Sequence, residues 1–251
     1  HDLQKNYGPK AVLKGVSLQV KRGEIIGYIG ANGAGKSTTI KIMLGIETNY
    51  TGEVKIFGQD ISNGDISYKR KIGYVPEIAE VYDNLTGHEY LTFIGELYGL
   101  DFDLADYKAK SLMELFGIGE VYHSRIASYS KGMRQKLLII SSLLHNPELI
   151  FFDEPINGLD ANSVMIFKEI MTQLAAQGKT IFYSSHIMDV VEKISSRIIL
   201  LMDGKVVADG SFDELKEQNT EGSLEQIFNE LTGFNEHKEL GSRFVSVVGE
   251  M

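Results

Sequence analysis

The sequence predicts an α/β protein with a mostly parallel β-sheet, on three observations. Its second half contains three almost uninterrupted apolar runs, at 148–154 (ELIFFDE), 179–185 (KTIFYSS) and 197–202 (RIILLM). Such runs are typical of strands that are covered on both faces, as in parallel sheets. A helical pattern at 161–176 separates the first two runs, which is the order of a βαβ unit. Residues 77–146 also have a helical pattern, which predicts a helical insert in the sheet domain.

The N-terminal part of the chain is predicted to form short strands and one helix. The runs VSLQV (16–20) and EIIGYIG (24–30) have strand-like composition and are joined by the turn residues KRG. A glycine-rich loop then leads into a helix at about 36–44, which ends at Gly45. The segment GEVKIFG (52–58) alternates polar and apolar residues between two glycines, so we expect a half-exposed strand there.

Three helices are predicted within the insert. The sequence TGHE (86–89) is a capping box, in which a threonine is followed three residues later by a glutamate, and the helix after it ends at Gly99. A second helix fits 104–116, and a third begins at Ser130 and runs towards Leu144.

A small helical tail is predicted at 211–251. Ser223 and Gln226 form a second capping box in it. The apolar residues that follow fall on one stripe of a helix, which we expect to dock on the rest of the domain. These residues are Leu224, Ile227, Phe228 and Leu231.

Composition and charge argue against several classes of protein. The chain of 251 residues carries a net charge of −9 and shows no basic stripe of the kind that nucleic-acid-binding domains use, so we expect no nucleic-acid partner. No apolar run approaches the ~20 residues that are needed to span a bilayer. The chain has no cysteine, so it forms no disulfide.

A phosphate-binding loop follows the strand predicted at 24–30. The sequence GANGAGKST matches the pattern G-x-x-x-x-G-K-[ST] in full, between an apolar strand and a helix, as the motif requires. Glycines let backbone N–H groups surround phosphate oxygens, Lys36 places its charge on the β- and γ-phosphates, and the Ser37 hydroxyl is offered to Mg²⁺. The alternative is a glycine-rich turn before a helix, and the complete motif argues against it. The loop residues expected to contact the nucleotide are Asn32, Gly33, Ala34, Gly35, Lys36, Ser37 and Thr38.

Two carboxylates stand at the end of a predicted buried strand. The sequence LIFFDEP runs four apolar residues directly into Asp153 and Glu154. In open α/β sheets, ligands bind beyond the carboxyl ends of the strands. We therefore expect Asp153 to hold Mg²⁺ through its water shell and Glu154 to polarise an attacking water. Taken alone, the pair is also compatible with a solvated acidic turn.

With these two motifs in place, the chain resembles the ATP-binding cassette (ABC) ATPases over about 2–210. GANGAGKST resembles the Walker A motif of that family and LIFFDE its Walker B motif. The sequence YSKGMRQK (129–136) resembles the signature, usually Leu-Ser-Gly-Gly-Gln, and NGLD (157–160) resembles the D-loop. His186 in SSHIMD stands at the switch histidine, and Tyr7 in KNYGPKAVLKGVSL at the aromatic residue that stacks on adenine. Six motifs in the family's order make the resemblance specific.

The resemblance implies that two cassettes pair head to tail, so that each ATP lies between the phosphate loop of one and the signature of the other. Ser130 and the N–H of Gly132 would then contact the γ-phosphate of the partner's ATP. A helix start suits this task, because its free N–H groups and dipole attract anions. Asp160 would lie at the interface, a role compatible with capping the helix at 161–176.

The resemblance also implies roles in binding and hydrolysis, for which the cofactors are ATP and Mg²⁺. The catalytic residues would be Lys36, Glu154 and His186, with His186 at the γ-phosphate. Tyr7 would stack on adenine; the alternative for Tyr7 is an aromatic residue that only packs. The residues expected to ligate Mg²⁺ are Ser37, Glu77 and Asp153.

Three positions depart from the family pattern. In the signature, Lys131 replaces the first glycine and Met133 the glutamine, whereas the serine and the second glycine are kept. We expect the site to work, with Lys131 adding charge near the interface. In GYVPE (73–77), Glu77 replaces the glutamine of the Q-loop; a carboxylate can ligate Mg²⁺ but cannot donate as an amide does. YxPE and YSKGM together resemble the branch of cassettes that pair with ABC-2-type exporter permeases.

The implied fold is a P-loop NTPase core of mostly parallel sheet, with an N-terminal antiparallel β subdomain and an inserted helical subdomain. We place the nucleotide-binding core with its antiparallel part at 1–76 and 147–210. The helical signature subdomain is predicted at 77–146 and the C-terminal helical tail at 211–251.

The implied function is that of an ATP-hydrolysing subunit of an ABC transporter, expected to be an exporter and driven by ATP-dependent dimerisation. Its partners would be a second cassette, either a copy of itself or a paralogue, and an integral membrane permease subunit. It would be peripheral, on the cytoplasmic face of the cell membrane. The alternative is a soluble ABC ATPase without a transporter, such as a cluster-assembly type. A regulatory cassette without hydrolysis is disfavoured by Lys36, Asp153 and Glu154.

Overall fold

A computed structural model of the chain describes residues 1–218, 222–233 and 237–249. Its strands are β1 (Leu3–Tyr7), β2 (Lys10–Val16), β3 (Ile25–Gly30), β4 (Lys55–Ile56), β5 (Gln59–Asp60), β6 (Ile72–Val75), β7 (Leu149–Asp153), β8 (Thr180–Ser184), β9 (Arg197–Met202) and β10 (Lys205–Gly210). Its α-helices are α1 (Lys36–Met43), α2 (Gly87–Leu97), α3 (Phe102–Leu115), α4 (Lys131–Leu143), α5 (Ala161–Ala176), α6 (Met188–Ile194), α7 (Phe212–Gln218), α8 (Leu224–Thr232) and α9 (His237–Gly249).

The central sheet has the strand order β10-β9-β3-β8-β7-β6. Adjacent strands in this sheet run parallel, except that β10 pairs antiparallel with β9. Strands β3 and β8 are buried along their whole length, because apolar layers cover both faces of the sheet. Successive side chains alternate between the layers: Phe151 packs on Phe182 in one layer, and Phe152 on Phe167 in the other. The expected α/β fold with a mostly parallel sheet is therefore confirmed.

The predicted βαβ unit is present in β7, α5 and β8. Helix α5 and strand β9 occupy the predicted ranges 161–176 and 197–202 to the residue. These elements were predictable because their signals are local: uninterrupted apolar runs for the strands, and Asp160 as the cap of α5.

An antiparallel pair, β1 with β2, precedes the sheet, but two strands predicted in this part of the chain are wrong in extent. Of 16–20, only Val16 lies in a strand; residues 17–20 alternate in burial but pair with no other strand, so they lack the backbone partner that a strand requires. Of 52–58, only Lys55–Ile56 is a strand. The chain turns back at Phe57 and Gly58, whose φ angles of 53° and 77° suit a tight hairpin.

Helices α2, α3 and α4 lie between β6 and β7, so the helical insert is present. The capping box of α2 is confirmed: Glu89 N–H donates to Thr86 Oγ1 at 3.1 Å, and Thr86 N–H donates to Glu89 Oε2 at 2.8 Å. Helix α3 begins two residues before its predicted start, because Asp101 caps it. Helix α4 begins at Lys131, directly after its cap Ser130.

The tail begins with α7 and α8, and its predicted capping box of Ser223 and Gln226 is confirmed. Leu224 and Ile227 of the predicted stripe are buried, and the other two members pack beside them. The parts of the predicted tail at 219–221, 234–236 and 250–251 lie outside the described residues. In the described part of the chain, none of the helices has the length and apolarity that a membrane crossing demands.

His145 joins the helical insert to the sheet. Its ring stacks on Tyr98, the residue directly after α2, with 3.6 Å between the ring centroids, and its Nε2 lies 2.9 Å from the carbonyl oxygen of Ile72 in β6. Burial, with a smaller contribution from the charges of Lys108 and Lys179, lowers the pKa of His145 to about 4, although the contact with the Ile72 carbonyl acts in the opposite direction. The folded protein therefore favours the neutral ring.

Acid should weaken this junction. Because the pKa of His145 is about 4 in the folded chain and near its ordinary value of about 6.5 in the unfolded chain, its contribution is complete above about pH 6.5 and is lost as the pH falls towards 4. We expect a loss of about 1–2 kcal/mol, less than the full shift implies, because the ring is only half-buried. Urea unfolding at about pH 7.5 and pH 5 measures the change in the free energy of unfolding.

The control for this prediction is His145→Phe, which keeps a ring on Tyr98 but cannot take a proton. The variant should be less stable than the wild type near neutral pH, since it loses the contact with Ile72. Its free energy of unfolding should fall less between the two pH values. An equal fall in both proteins would contradict the role of His145.

Candidate functional site

The phosphate loop connects β3 to α1, as the motif predicts. Its glycines are required by close packing as well as by conformation. A Cβ on Gly30 would lie 2.3 Å from the carbonyl oxygen of Leu201, and Gly35 has a φ of 112° with Leu13 against it. The loop therefore tolerates no side chain at these two positions.

Lys36 is the first residue of α1 and is buried. Its Nζ donates to the carbonyl oxygen of Gly30 at 2.7 Å and to that of Ala31 at 3.3 Å, so the ammonium lies across its own loop. Burial lowers the pKa of Lys36, and the carboxylates of Glu154 and Asp153 act in the opposite direction. A buried ammonium beside a phosphate loop is well placed to bind an anion.

Asp153 ends β7, and parallel pairing sets it beside Ser184 of β8. The side chain is buried, which raises the pKa of Asp153, and the nearby Glu77 raises it further. The nearby hydroxyls of Ser37 and Ser184 lower that pKa and favour the charged form. The structure therefore brings together the hydroxyl of α1 and the carboxylate of β7, two groups that lie more than a hundred residues apart.

Glu154 follows in an unusual backbone conformation, with a φ of 51°. Its Oε2 lies 2.9 Å from Nδ1 of His186 and accepts a longer hydrogen bond, of 3.4 Å, from the Ser185 hydroxyl. Glu154 is buried, whereas the side chain of His186 is 61% exposed. The buried carboxylate of Glu154 is thus held by His186, whose own side chain remains open to solvent.

The loop and the carboxylates of Asp153 and Glu154 line one pocket of about 390 Å³, whereas His186, which contacts Glu154, does not line it. Among the predicted residues, it is lined by Asn32, Gly33, Gly35, Lys36, Ser37, Thr38, Glu77, Asp153 and Glu154. Ala34 does not line it: that residue is buried, and its N–H donates to the carbonyl oxygen of Ala31 at 3.1 Å. The pocket thus unites the loop with three of the four predicted carboxylates; the fourth, Asp160, does not line it.

The oxygen donors in this pocket suit Mg²⁺. Ser37, Asp153 and Glu77 offer one hydroxyl and two carboxylates, the hard ligands that this ion takes. In the ranges that the structure describes, no three side chains of histidine, cysteine, aspartate or glutamate converge to hold a metal on their own. Mg²⁺ needs no such cage, because it keeps several waters and shares the phosphates of its nucleotide.

Tyr7 does not line the pocket. It lies at the end of β1 and is 44% exposed, with the Lys5 ammonium 4.8 Å from its ring centroid. From the same hairpin, Lys10 and Val12 do line the pocket, and sequence reasoning missed both. The available signal was the turn at Gly8 and Pro9, which predicts a hairpin with Lys10 opposite Tyr7.

A second pocket, of about 490 Å³, lies at the start of α4. Ser130, Gly132 and Asp160 line it, together with Lys136 and Gly158. It shares no lining residue with the first pocket. The structure therefore separates the predicted nucleotide residues into two groups within one chain.

Ser130 and Asp160 both act as helix caps in this second pocket. Ser130 Oγ accepts from the Met133 N–H at 3.2 Å, and Asp160 Oδ1 accepts from the Ser163 N–H at 2.9 Å. Hydrogen bonds from Ser163 lower the pKa of Asp160 well below its usual range, and Lys136 lies 3.4 Å away. The predicted capping role of Asp160 is confirmed.

The three departures from the family pattern have different surroundings. The aliphatic part of Lys131 covers Gly158, where an added Cβ would lie 3.2 Å from its Cγ and Cδ. Met133 is half-buried, packs on the core and lines the second pocket. Glu77 is exposed and lines the first pocket. Lys131 therefore has a packing role that its charge alone did not predict.

Comparison with known proteins identifies what this arrangement resembles. The family model described as ABC transporter matches residues 13–157, more than half of the chain. The linearmycin resistance ATP-binding protein of Bacillus subtilis is 37% identical over 85% of this chain and 69% of its own length. A fluoroquinolones export ATP-binding protein of Mycobacterium tuberculosis is 36% identical over 83% of this chain and 69% of its own length. A solved structure of the ATP-binding subunit of an ABC transporter has a TM-score of 0.86 and 35% identity, covering 92% of this chain and 97% of that one.

Proposed function

Because this chain belongs to the ABC transporter family and is an ATP-binding ATPase of that family, we propose that it works as one of two paired cassettes that drive an exporter. In this proposal, ATP binding joins the cassettes and hydrolysis releases them. The observation that carries the proposal is the presence of two separate pockets in one chain, each suited to part of a nucleotide.

The first pocket supports binding and hydrolysis of the triphosphate. The loop N–H groups and Lys36 bind the β- and γ-phosphates, and Ser37 and Asp153 hold Mg²⁺, with Glu77 beside them. When bound, Mg²⁺ neutralises phosphate charge. Glu154 accepts a proton from the attacking water, and His186 holds that carboxylate and reaches the γ-phosphate.

The second pocket supports a head-to-tail pair. The start of α4 offers free N–H groups around Gly132, with Lys136 close by, which is a setting for an anion. No phosphate loop of the same chain lines it. A partner cassette supplies one, and Ser130 and Gly132 then contact the partner's γ-phosphate. In this scheme Asp160 lies at the interface, and Tyr7 reaches the adenine beyond the rim of the first pocket.

The same scheme divides the chain into three units. Residues 1–76 and 147–210 bind nucleotide, 77–146 form the signature subdomain, and 211–251 form the tail. Helices α2 to α4 are inserted between β6 and β7, which supports the movement of the insert as one piece when the partner's ATP engages α4.

Changing Ser130 tests the pairing. Ser130→Asp keeps a good helix cap, because aspartate caps as well as serine, but it places a negative charge against the partner's phosphates. We expect ATP to bind the monomer with an unchanged Kd and the ATP-driven dimer to weaken by at least ~10-fold, equal to ~1.4 kcal/mol. Calorimetry gives the first value, and sedimentation with ATP in the slow-turnover variant Glu154→Gln gives the second.

A matched control lies in the same insert. Asp101 caps α3 as Ser130 caps α4, and Asp101→Ala removes a cap without touching either pocket. That variant should lose stability but dimerise normally. If Ser130→Asp weakened ATP binding to the monomer as much as it weakened dimerisation, the proposed contact between Ser130 and the partner's ATP would be wrong.

A membrane permease is the proposed second partner. One relative is named for fluoroquinolones export and another for linearmycin resistance, which supports the exporter branch and a peripheral place on the cytoplasmic face. Purification of the tagged chain from its native membranes tests this, with mass spectrometry of what accompanies it. A companion chain with several apolar spans is expected. Recovery of the cassette wholly in the soluble fraction with a soluble partner would overturn the transporter role and leave the ATPase intact.

A further inference from the structure

The loop that carries Glu154 is held in a conformation that its own sequence disfavours. Glu154 has a φ of 51°, in the left-handed region, and it precedes Pro155. A residue before proline is restricted to extended conformations, and a side chain at positive φ is strained. Contacts from elsewhere in the fold must therefore keep Glu154 in place.

Helix α4 supplies one of those contacts through Gln135. The side chain of Gln135 is buried, with 2% exposed, and its Nε2 donates to the carbonyl oxygen of Pro155 at 2.8 Å. The backbone of Glu154 itself is held by Ser184, whose carbonyl oxygen accepts from the Glu154 N–H at 2.9 Å. The two bonds thus fix the chain at Glu154 and at the residue after it.

The same face of α4 also contacts the rest of this loop. A Cβ on Gly132 would lie 2.7 Å from the carbonyl oxygen of Gly158, so helix and loop touch there without a side chain between them. Lys136 reaches Asp160 at the end of the loop. Residues 132, 135 and 136 share one face of α4 at helical spacing, so this face contacts the loop at three points.

We propose that Gln135 is a positioning residue for Glu154. Its side-chain amide donates to the Pro155 carbonyl oxygen, so the position of α4 determines the position of the Glu154 carboxylate. This rests on the proposed function, in which Glu154 is the base. Since the start of α4 lines the second pocket, engagement of the partner's ATP there would be transmitted through Gln135 to the first pocket of the same chain.

The test is a double-mutant cycle on the full-length chain. Gln135→Met has nearly the shape of glutamine but no N–H to donate. We expect kcat to fall at least ~10-fold with KM for ATP within about twofold, because a small displacement of a reacting group slows chemistry more than binding. In the Glu154→Gln background, the same change should leave the residual rate unaltered, since a residue that acts through Glu154 then has nothing to position.

Controls separate this role from general damage. Gln173→Met on α5 removes an exposed amide that bonds Glu169 at 2.7 Å and should leave kcat unchanged. If Gln135→Met does not fold, Gln135→Glu keeps the side-chain shape and loses the donor when ionised, and the same cycle is measured with it. An unchanged kcat, or the same fold loss in both backgrounds, would overturn the proposal. Rapid hydrolysis by Glu154→Gln alone would instead remove Glu154 as the base, which is a failure of the proposed function.

Discussion

Glu154→Gln should bind ATP as tightly as the wild-type chain and hydrolyse it at least ~100-fold more slowly. The amide has the shape of the carboxylate and can keep a contact with Nδ1 of His186, but it cannot accept a proton from water. The first pocket keeps its loop, Lys36 and Asp153, so binding is preserved. Steady-state phosphate release measures turnover, and calorimetry measures affinity.

The matched control is Glu148→Gln, the same chemical change at the other end of β7. Glu148 is partly exposed and pairs with Lys71 at 3.1 Å, away from both pockets that hold the predicted site residues. This variant should hydrolyse ATP at the wild-type rate, since an exposed ion pair contributes little. Near-normal turnover by Glu154→Gln would show that the base is elsewhere.

Lys36→Met should weaken ATP binding by about 10- to 100-fold. A hydrogen bond to a charged group contributes about 1.5–3 kcal/mol, and Lys36 is the ammonium at the mouth of the phosphate loop. Methionine has a similar length and fills the same buried space, so the loss should come from charge rather than from a cavity. Titration with a fluorescent ATP analogue measures the affinity.

Lys36 also bridges its own loop, so folding must be checked in the same experiment. The variant loses the bonds to the carbonyl oxygens of Gly30 and Ala31, and a modest drop in Tm is expected. Lys41→Met is the control, because Lys41 is an exposed lysine of the same helix and lines neither pocket. Equal affinities for ATP in both variants would contradict a direct role for Lys36 at the phosphates.

The sequence predicted those parts of the fold whose signals are local. The run at 197–202 is apolar after Arg197 because β9 is covered on both faces, and Asp160 marks the start of α5 by its capping preference. The capping box at 86–89 located α2 for the same reason. In each case the residues that determine the element lie within it.

Strands in which apolar and polar residues are mixed were not predicted, or were predicted to be longer than they are. Strands β1, β5, β6 and β10, and all of β2 except Val16, were not predicted, since β1 and β10 alternate in burial, β5 has only two residues and β6 only four. Residues 17–20 kept the alternation of a strand without a partner. Whether an extended segment becomes a strand depends on a second backbone beside it, which the segment's own residues do not encode.

By itself, the sequence determined the fold class, the phosphate loop, the carboxylate pair at the end of β7 and the family to which they belong. These are short motifs whose residue types follow from the chemistry of phosphate and Mg²⁺. Only the tertiary structure decided that Glu154 meets His186, that Lys131 covers Gly158, that Gln135 holds Pro155, and that the site residues form two pockets. Those contacts join residues from different elements, and their geometry is set by how sheet and helices pack rather than by any local pattern.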